Sequence, residues 1–140
     1  MIDDRPEIRY ITYPEAVYLH VQLMRLMEET RFGVFDRTLV ESALARPVHL
    51  AQYENADLIR QAATLCYGLI KNHPWIGGNK RTATAITDEF LFRNGYEIVA
   101  LPEEIVRLVL LIESDKWNTD AIAIEEWLRD NIRLKHEPAG

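Results

Sequence analysis

The chain has 140 residues, of which 48% are hydrophobic and 27% are charged, a balance typical of one soluble globular domain rather than of a disordered or fibrous protein. Its single cysteine, Cys66, excludes an internal disulfide, and an acidic start with no long apolar segment argues against secretion or a membrane span, so we expect a cytoplasmic protein. The formal net charge of −6 argues against direct binding of nucleic acid or of anionic membranes.

The amino-terminal part of the chain predicts a short strand and then a helix. Residues 8–11 are mostly large and apolar, which is compatible with a short strand. Thr12, with Glu15 three residues later, forms the capping-box pattern that begins a helix. Apolar residues follow closely until about residue 30, so the first helix is predicted to end there.

Two further helices are predicted in the middle of the chain. The second begins near Asp36 or Thr38 and ends at Pro47, because proline disfavours the helical conformation at the residue before it. The third spans about 56–72, where apolar residues recur every three or four positions. This spacing predicts a helix with a broad buried face.

The remaining chain predicts three more helices and one strand. The helices cover about 79–94, 102–114 and 120–134, and the strand covers 96–99, with residues 8–11 as its expected partner. Together these patterns predict one all-α domain over residues 1–140. We expect a compact bundle of about six helices with room for one short two-stranded β element.

The segment between the third and fourth helices reads Asn-His-Pro-Trp-Ile-Gly-Gly-Asn-Lys-Arg-Thr over residues 72–82. A glycine-rich turn that leads into a helix is suited to bind an anion, because the first N–H groups of a helix lack intrahelical partners and the helix dipole is positive there. Lys80 and Arg81 in the first turn oppose that dipole, a cost that a bound phosphate would offset. His73 precedes the turn, and its side chain can exchange protons near pH 7. The segment therefore predicts attack of a hydroxyl on a nucleotide phosphate.

This run resembles the signature of the Fic/Doc family, specifically of its Doc (death-on-curing) branch of toxins. The signature reads His, any residue, Phe, any residue, Asp, a small residue, Asn, Lys and Arg. The residues that match it are His73, Trp75 in place of Phe, Gly78, Asn79, Lys80 and Arg81. The likeness continues through residues 36–47 and 90–96, so it covers most of the chain.

The resemblance implies a Fic-like helical fold and a role for each matched residue. His73 would be the catalytic base that deprotonates a target hydroxyl, and the phosphates of ATP would be held by Gly77, Gly78, Asn79, Lys80 and Arg81. In the branch that transfers AMP, the residue at Lys80 is Gly and a second Arg stands where this chain has Thr84. The Lys belongs to the branch that transfers the γ-phosphate. The resemblance thus implies a protein kinase acting on a Thr or Ser hydroxyl of a translation factor such as elongation factor Tu.

The resemblance also implies regulation by a second protein. The family's internal inhibitory pattern is Ser or Thr, three residues, then Glu followed by Gly or Asn. The only Glu of this chain followed by Gly or Asn is Glu54, and Leu50 stands at the hydroxyl position. We therefore expect inhibition in trans, by a Phd-like antitoxin.

The chain departs from the signature at Gly77, where the family has the aspartate that binds Mg²⁺. Loss of this carboxylate removes charge neutralisation at the transferred phosphate, unless Asp36, Glu54 or Asp57 takes its place. No residue is predicted as a metal ligand. Three alternatives to the kinase therefore remain: a catalytically weak or silent relative that binds nucleotide or a partner protein, an AMP transferase, and a purely structural helical module.

Overall fold

The computed structural model describes residues 7–114 and 121–135, and over these residues the chain forms six α-helices and one two-stranded antiparallel sheet. The elements in chain order are α1 (Tyr13–Leu26), α2 (Arg37–Glu54), α3 (Leu58–Asn72), α4 (Asn79–Arg93), β1 (Tyr96–Ile98), α5 (Pro102–Ser114), α6 (Ala121–Asn131) and β2 (Ile132–Leu134). This confirms the predicted all-α bundle with a small β element. Within the described ranges, no helix is long and apolar enough to cross a membrane.

The core is built around α3, which packs against α2, α4 and α6. Asp57 caps its amino terminus by accepting the Arg60 N–H at 2.9 Å. Nine of its fifteen residues are buried, among them Leu65 and Leu69, and burial of one such leucine contributes about 1.5–3 kcal/mol. Because α3 is enclosed by three helices, the loop that follows its last residue starts from a fixed position.

The carboxyl-terminal ends of α1 and α2 both differ from prediction, since α1 is shorter and α2 is longer than expected. The Thr12–Glu15 capping box is present, with each residue accepting the backbone N–H of the other, but α1 ends at Leu26, earlier than predicted. In contrast, α2 continues through Pro47, which was predicted to end it. Pro47 is buried in the bundle, and this packing offsets the roughly 3 kcal/mol that a proline costs inside a helix.

The predicted pairing of residues 96–99 with 8–11 is wrong. β1 pairs instead with β2, with Tyr96 opposite Leu134 and Ile98 opposite Ile132. Residues 8–11 have no regular secondary structure and are held by side chains, such as the Asn94 amide, which accepts the Arg9 N–H at 2.9 Å. The last helix consequently ends at Asn131 rather than at residue 134, and its predicted first residue, Asp120, lies outside the described residues.

Candidate functional site

The motif loop (residues 73–78) joins α3 to α4 through two residues in the left-handed conformation. His73 ends α3 at φ 48°, and Gly78 begins α4 at φ 67°. Gly78 is also required by space, because a Cβ there would lie 2.5 Å from the Cε of Met24. The side-chain amide of Asn79 closes the loop, since its Oδ1 accepts the Trp75 N–H at 3.0 Å and its Nδ2 donates to the Trp75 carbonyl at 2.9 Å.

The covering loop (residues 27–36) joins α1 to α2 and lies across the motif loop. The Phe35 N–H donates to the Pro74 carbonyl at 2.9 Å, and the Ile76 N–H donates to the Gly33 carbonyl at 2.9 Å. Val34 and Trp75 lie between these bonds and form an antiparallel bridge. Backbone hydrogen bonds therefore join two loops that are some forty residues apart in the chain.

Buried His20 connects both loops to α4. Its Nε2 accepts the Gly33 N–H at 3.0 Å, which makes Nδ1 the protonated nitrogen, and Nδ1 donates to the Thr82 hydroxyl at 2.8 Å. The imidazole stacks on the indole of Trp75, with ring centroids 4.3 Å apart. Burial lowers the pKa of His20 to about 4, so the ring is neutral at pH 7.

His20 was missed as a site residue because the sequence places it far from the motif. One signal was available: Ala16, His20 and Met24 are the buried residues of α1 and follow one another at four-residue spacing. A polar residue in such a buried stripe needs hydrogen-bond partners from elsewhere in the fold. The sequence alone did not reveal that these partners are Gly33 and Thr82.

A cavity of about 450 Å³ opens between the two loops and the first turn of α4. Its lining includes Glu29 and Arg31 from the covering loop, together with every residue predicted for the site, namely His73, Gly77, Gly78, Asn79, Lys80 and Arg81. Arg81 is more than half exposed, and its guanidinium lies 3.4 Å from the Glu29 carboxylate. The predicted base and the predicted phosphate ligands thus share one cavity, while their chemical roles stay predictions.

Gly77 stands where the signature has the aspartate that binds Mg²⁺, and the surrounding structure does not fit a carboxylate at this position. A Cβ built on Gly77 would lie 2.5 Å from the carbonyl oxygen of Arg31. Any side chain at residue 77 would therefore require a displacement of the covering loop. Of the described residues that line the cavity, Glu29 alone carries a carboxylate, and it is the partner of Arg81.

The three carboxylates named as possible replacements lie elsewhere, as does Asp88 of α4. Asp36 caps α2 by accepting the Thr38 N–H at 2.9 Å, Asp57 pairs with Arg129 at 2.8 Å, and Glu54 lies 3.7 Å from Arg60. Asp88 lines a separate groove, where burial, helped by nearby carboxylates, raises its pKa. None of these four residues lines the cavity.

Comparison with known proteins agrees with the resemblance of residues 73–81 to the Fic/Doc signature. The sequence profile of the Fic/DOC family matches residues 10–91, a range that includes α1, α2, α3, both loops and all but the last two residues of α4. A curated relative, the Toxin Doc of Mycolicibacterium smegmatis, is 39% identical over 69 residues, which are 48% of this chain and 53% of that protein. The chain therefore spans about half the length of the curated relative that it matches.

Proposed function

The chain belongs to the Fic/Doc family, and on this premise we propose that it is a Doc-type toxin with protein kinase activity. It transfers the γ-phosphate of ATP to a Thr or Ser hydroxyl of a translation factor such as elongation factor Tu. The observation that supports this proposal most strongly is the single cavity lined by His73 and residues 77–81. The similarity to a Toxin Doc supports the same function.

In the proposed reaction, the phosphates of ATP lie on the first turn of α4. The backbone N–H groups and the dipole of this turn stabilise negative charge, and Lys80 and Arg81 add two cations. His73 is exposed at the cavity, where the hydroxyl of a protein target can approach it. It takes the hydroxyl proton while the oxygen bonds to the γ-phosphorus, and ADP leaves with the electrons of the broken P–O bond.

We propose phosphoryl transfer rather than AMP transfer because Lys80 matches the signature of the branch that transfers the γ-phosphate, and because Thr84 does not match that of the other branch. The AMP-transferring pattern that the sequence departs from has a second arginine at the position of Thr84. Here the Thr84 hydroxyl donates to the Lys80 carbonyl at 3.0 Å, so it is used within α4. Thr84 supplies no cation to a phosphate.

A second candidate is a relative that binds nucleotide without transferring phosphate. The observation that favours it is Gly77, since the covering loop occupies the space of the family's metal-binding side chain. This candidate predicts measurable ATP binding with no transfer to any protein. A structural module, by contrast, predicts no ATP binding.

The direct test is incubation of the protein with γ-labelled ATP and elongation factor Tu. We expect label to appear on the factor. We expect His73→Ala to lower the rate of labelling by at least about 100-fold, the range for removal of a general base. His49→Ala, which removes an exposed histidine of α2 outside the cavity, is the matched control. Label that is unchanged by His73→Ala would reject the mechanism, and ATP binding without label would favour the second candidate.

The proposed partner is a Phd-like antitoxin acting in trans. A largely apolar groove of about 560 Å³ contains Lys80 and Arg81 and continues between α1, α4 and α5. Leu23, Ile105 and Val106 contribute to its lining. An antitoxin segment with an apolar face for the groove and a carboxylate for the two cations would cover the phosphate cavity beside it.

A further inference from the structure

We propose that the cavity binds the nucleotide phosphates without a divalent metal ion, with Arg31 as a third cation beside Lys80 and Arg81. This inference rests on the proposed nucleotide site and goes further, because it assigns a binding residue outside the motif and removes a cofactor. It arises from the mismatch between the expected metal site and the residues that surround Gly77.

The first step concerns the backbone of the covering loop. The Arg31 carbonyl fills the space that a side chain at residue 77 would need. The backbone around this carbonyl is held in place two residues later. There the Gly33 N–H donates to His20 Nε2, and the Gly33 carbonyl accepts the Ile76 N–H. A retreat of the Arg31 carbonyl would strain both bonds, so we infer that the position of the missing carboxylate is closed in the folded protein.

The second step concerns charge. Arg31, Lys80 and Arg81 line the cavity together with one carboxylate, Glu29. Among the residues that the structure describes, those that line the cavity therefore carry a formal net charge of +2, the same charge that one Mg²⁺ ion would bring. Carboxylate and phosphate oxygens are the ligands that Mg²⁺ prefers, and the one carboxylate present lies 3.4 Å from Arg81. Arginine suits phosphate because its planar guanidinium can donate two parallel hydrogen bonds.

The first test is titration calorimetry of the full chain with ATP, once with excess Mg²⁺ and once with EDTA. We expect ATP to bind at least as tightly in EDTA as in Mg²⁺, because the unchelated triphosphate is more negative. Weaker binding in EDTA would overturn the inference and leave the nucleotide site intact. No binding in either buffer would reject the proposed nucleotide site itself, and this inference with it.

The second test addresses Arg31 directly. We expect Arg31→Gln to weaken ATP binding in EDTA about tenfold, the scale for loss of one charge-assisted hydrogen bond. Arg25→Gln removes the same charge from the exposed end of α1, outside the cavity, and is expected to change the affinity by less than about twofold. Equal effects of the two variants would overturn the role of Arg31.

The third test uses residue 77. Gly77→Ala adds only the Cβ, whereas Gly77→Asp also adds the family's carboxylate. We expect both variants to lower thermal stability by a similar amount and neither to gain Mg²⁺-dependent ATP binding. A folded Gly77→Asp protein that binds ATP more tightly in Mg²⁺ than in EDTA would show that the position is open. If neither variant folds, the calorimetry of the unmodified chain still decides the inference.

Discussion

His20 shows how one residue can organise a site that it does not line. Its two ring nitrogens bind Gly33 of the covering loop and Thr82 of α4, and its ring face stacks on Trp75 of the motif loop. A neutral imidazole is needed, because a protonated Nε2 could not accept the Gly33 N–H. The position of the loops is therefore linked to the protonation state of this buried ring.

A pH dependence of stability follows from this linkage. Burial lowers the pKa of His20 to about 4, whereas the same imidazole has a pKa near 6.5 in the unfolded chain. Between pH 4 and pH 6.5 the unfolded state therefore binds more protons than the folded state. The contribution of His20 to the free energy of unfolding is fully present above about pH 6.5 and is lost as the pH decreases towards 4, by about 2 kcal/mol between pH 7 and pH 5. Urea denaturation at the two pH values measures this loss.

The contribution of His20 is isolated by comparing two variants in the same titration. His20→Gln keeps hydrogen-bonding groups but removes the titration, so we expect a smaller decrease in the free energy of unfolding between pH 7 and pH 5. His49→Gln, at an exposed position, should keep the decrease of the unmodified chain. A His20→Gln protein with an unchanged pH profile would contradict the assignment of His20 as the titrating group.

At the scale of elements, local signals succeeded where the determining contacts are close in the chain. The capping box of α1 depends on two residues three positions apart, and it forms as predicted. Pro47 shows the opposite case, since its local preference was overridden by burial within α2. A helix end is thus predictable when a side chain caps it and poorly predictable when packing decides its length.

The capping box provides a quantitative test. Thr12→Ala removes the hydroxyl that accepts the Glu15 N–H, and such a loss typically costs about 1 kcal/mol. We expect the free energy of unfolding to fall by that amount, measured by urea denaturation at pH 7. Thr30→Ala, at an exposed position of the covering loop outside any helix, is the control and should be nearly neutral. Equal losses in both variants would contradict a specific capping role.

At the scale of the whole molecule, the cavity and the apolar groove lie next to each other and share Lys80 and Arg81. Because of this shared lining, a protein bound in the groove, as proposed for the antitoxin, would also affect the cavity. A segment seated in the groove would compete with phosphate for the same two cations. ATP and the proposed antitoxin are therefore expected to weaken each other's binding.

The groove can be tested separately from the cavity. Val106 lines the groove and is 55% exposed, and Leu134 of β2 is 51% exposed and lies outside it. We expect Val106→Asp to weaken binding of the proposed antitoxin by at least about tenfold, and Leu134→Asp to leave it unchanged. ATP binding should persist in both variants. Undiminished complex formation by Val106→Asp would contradict the proposed docking site.

The sequence by itself determined the helical class, the positions of most helices and the run from His73 to Arg81, because periodicity, capping and the motif are patterns within short stretches of chain. Only the tertiary structure decided that β1 pairs with β2, that Arg31 closes the space beside Gly77, and that His20 supports both loops. These contacts join residues 13 to 62 positions apart. Such pairings depend on how all the helices pack together, and no local pattern specifies them.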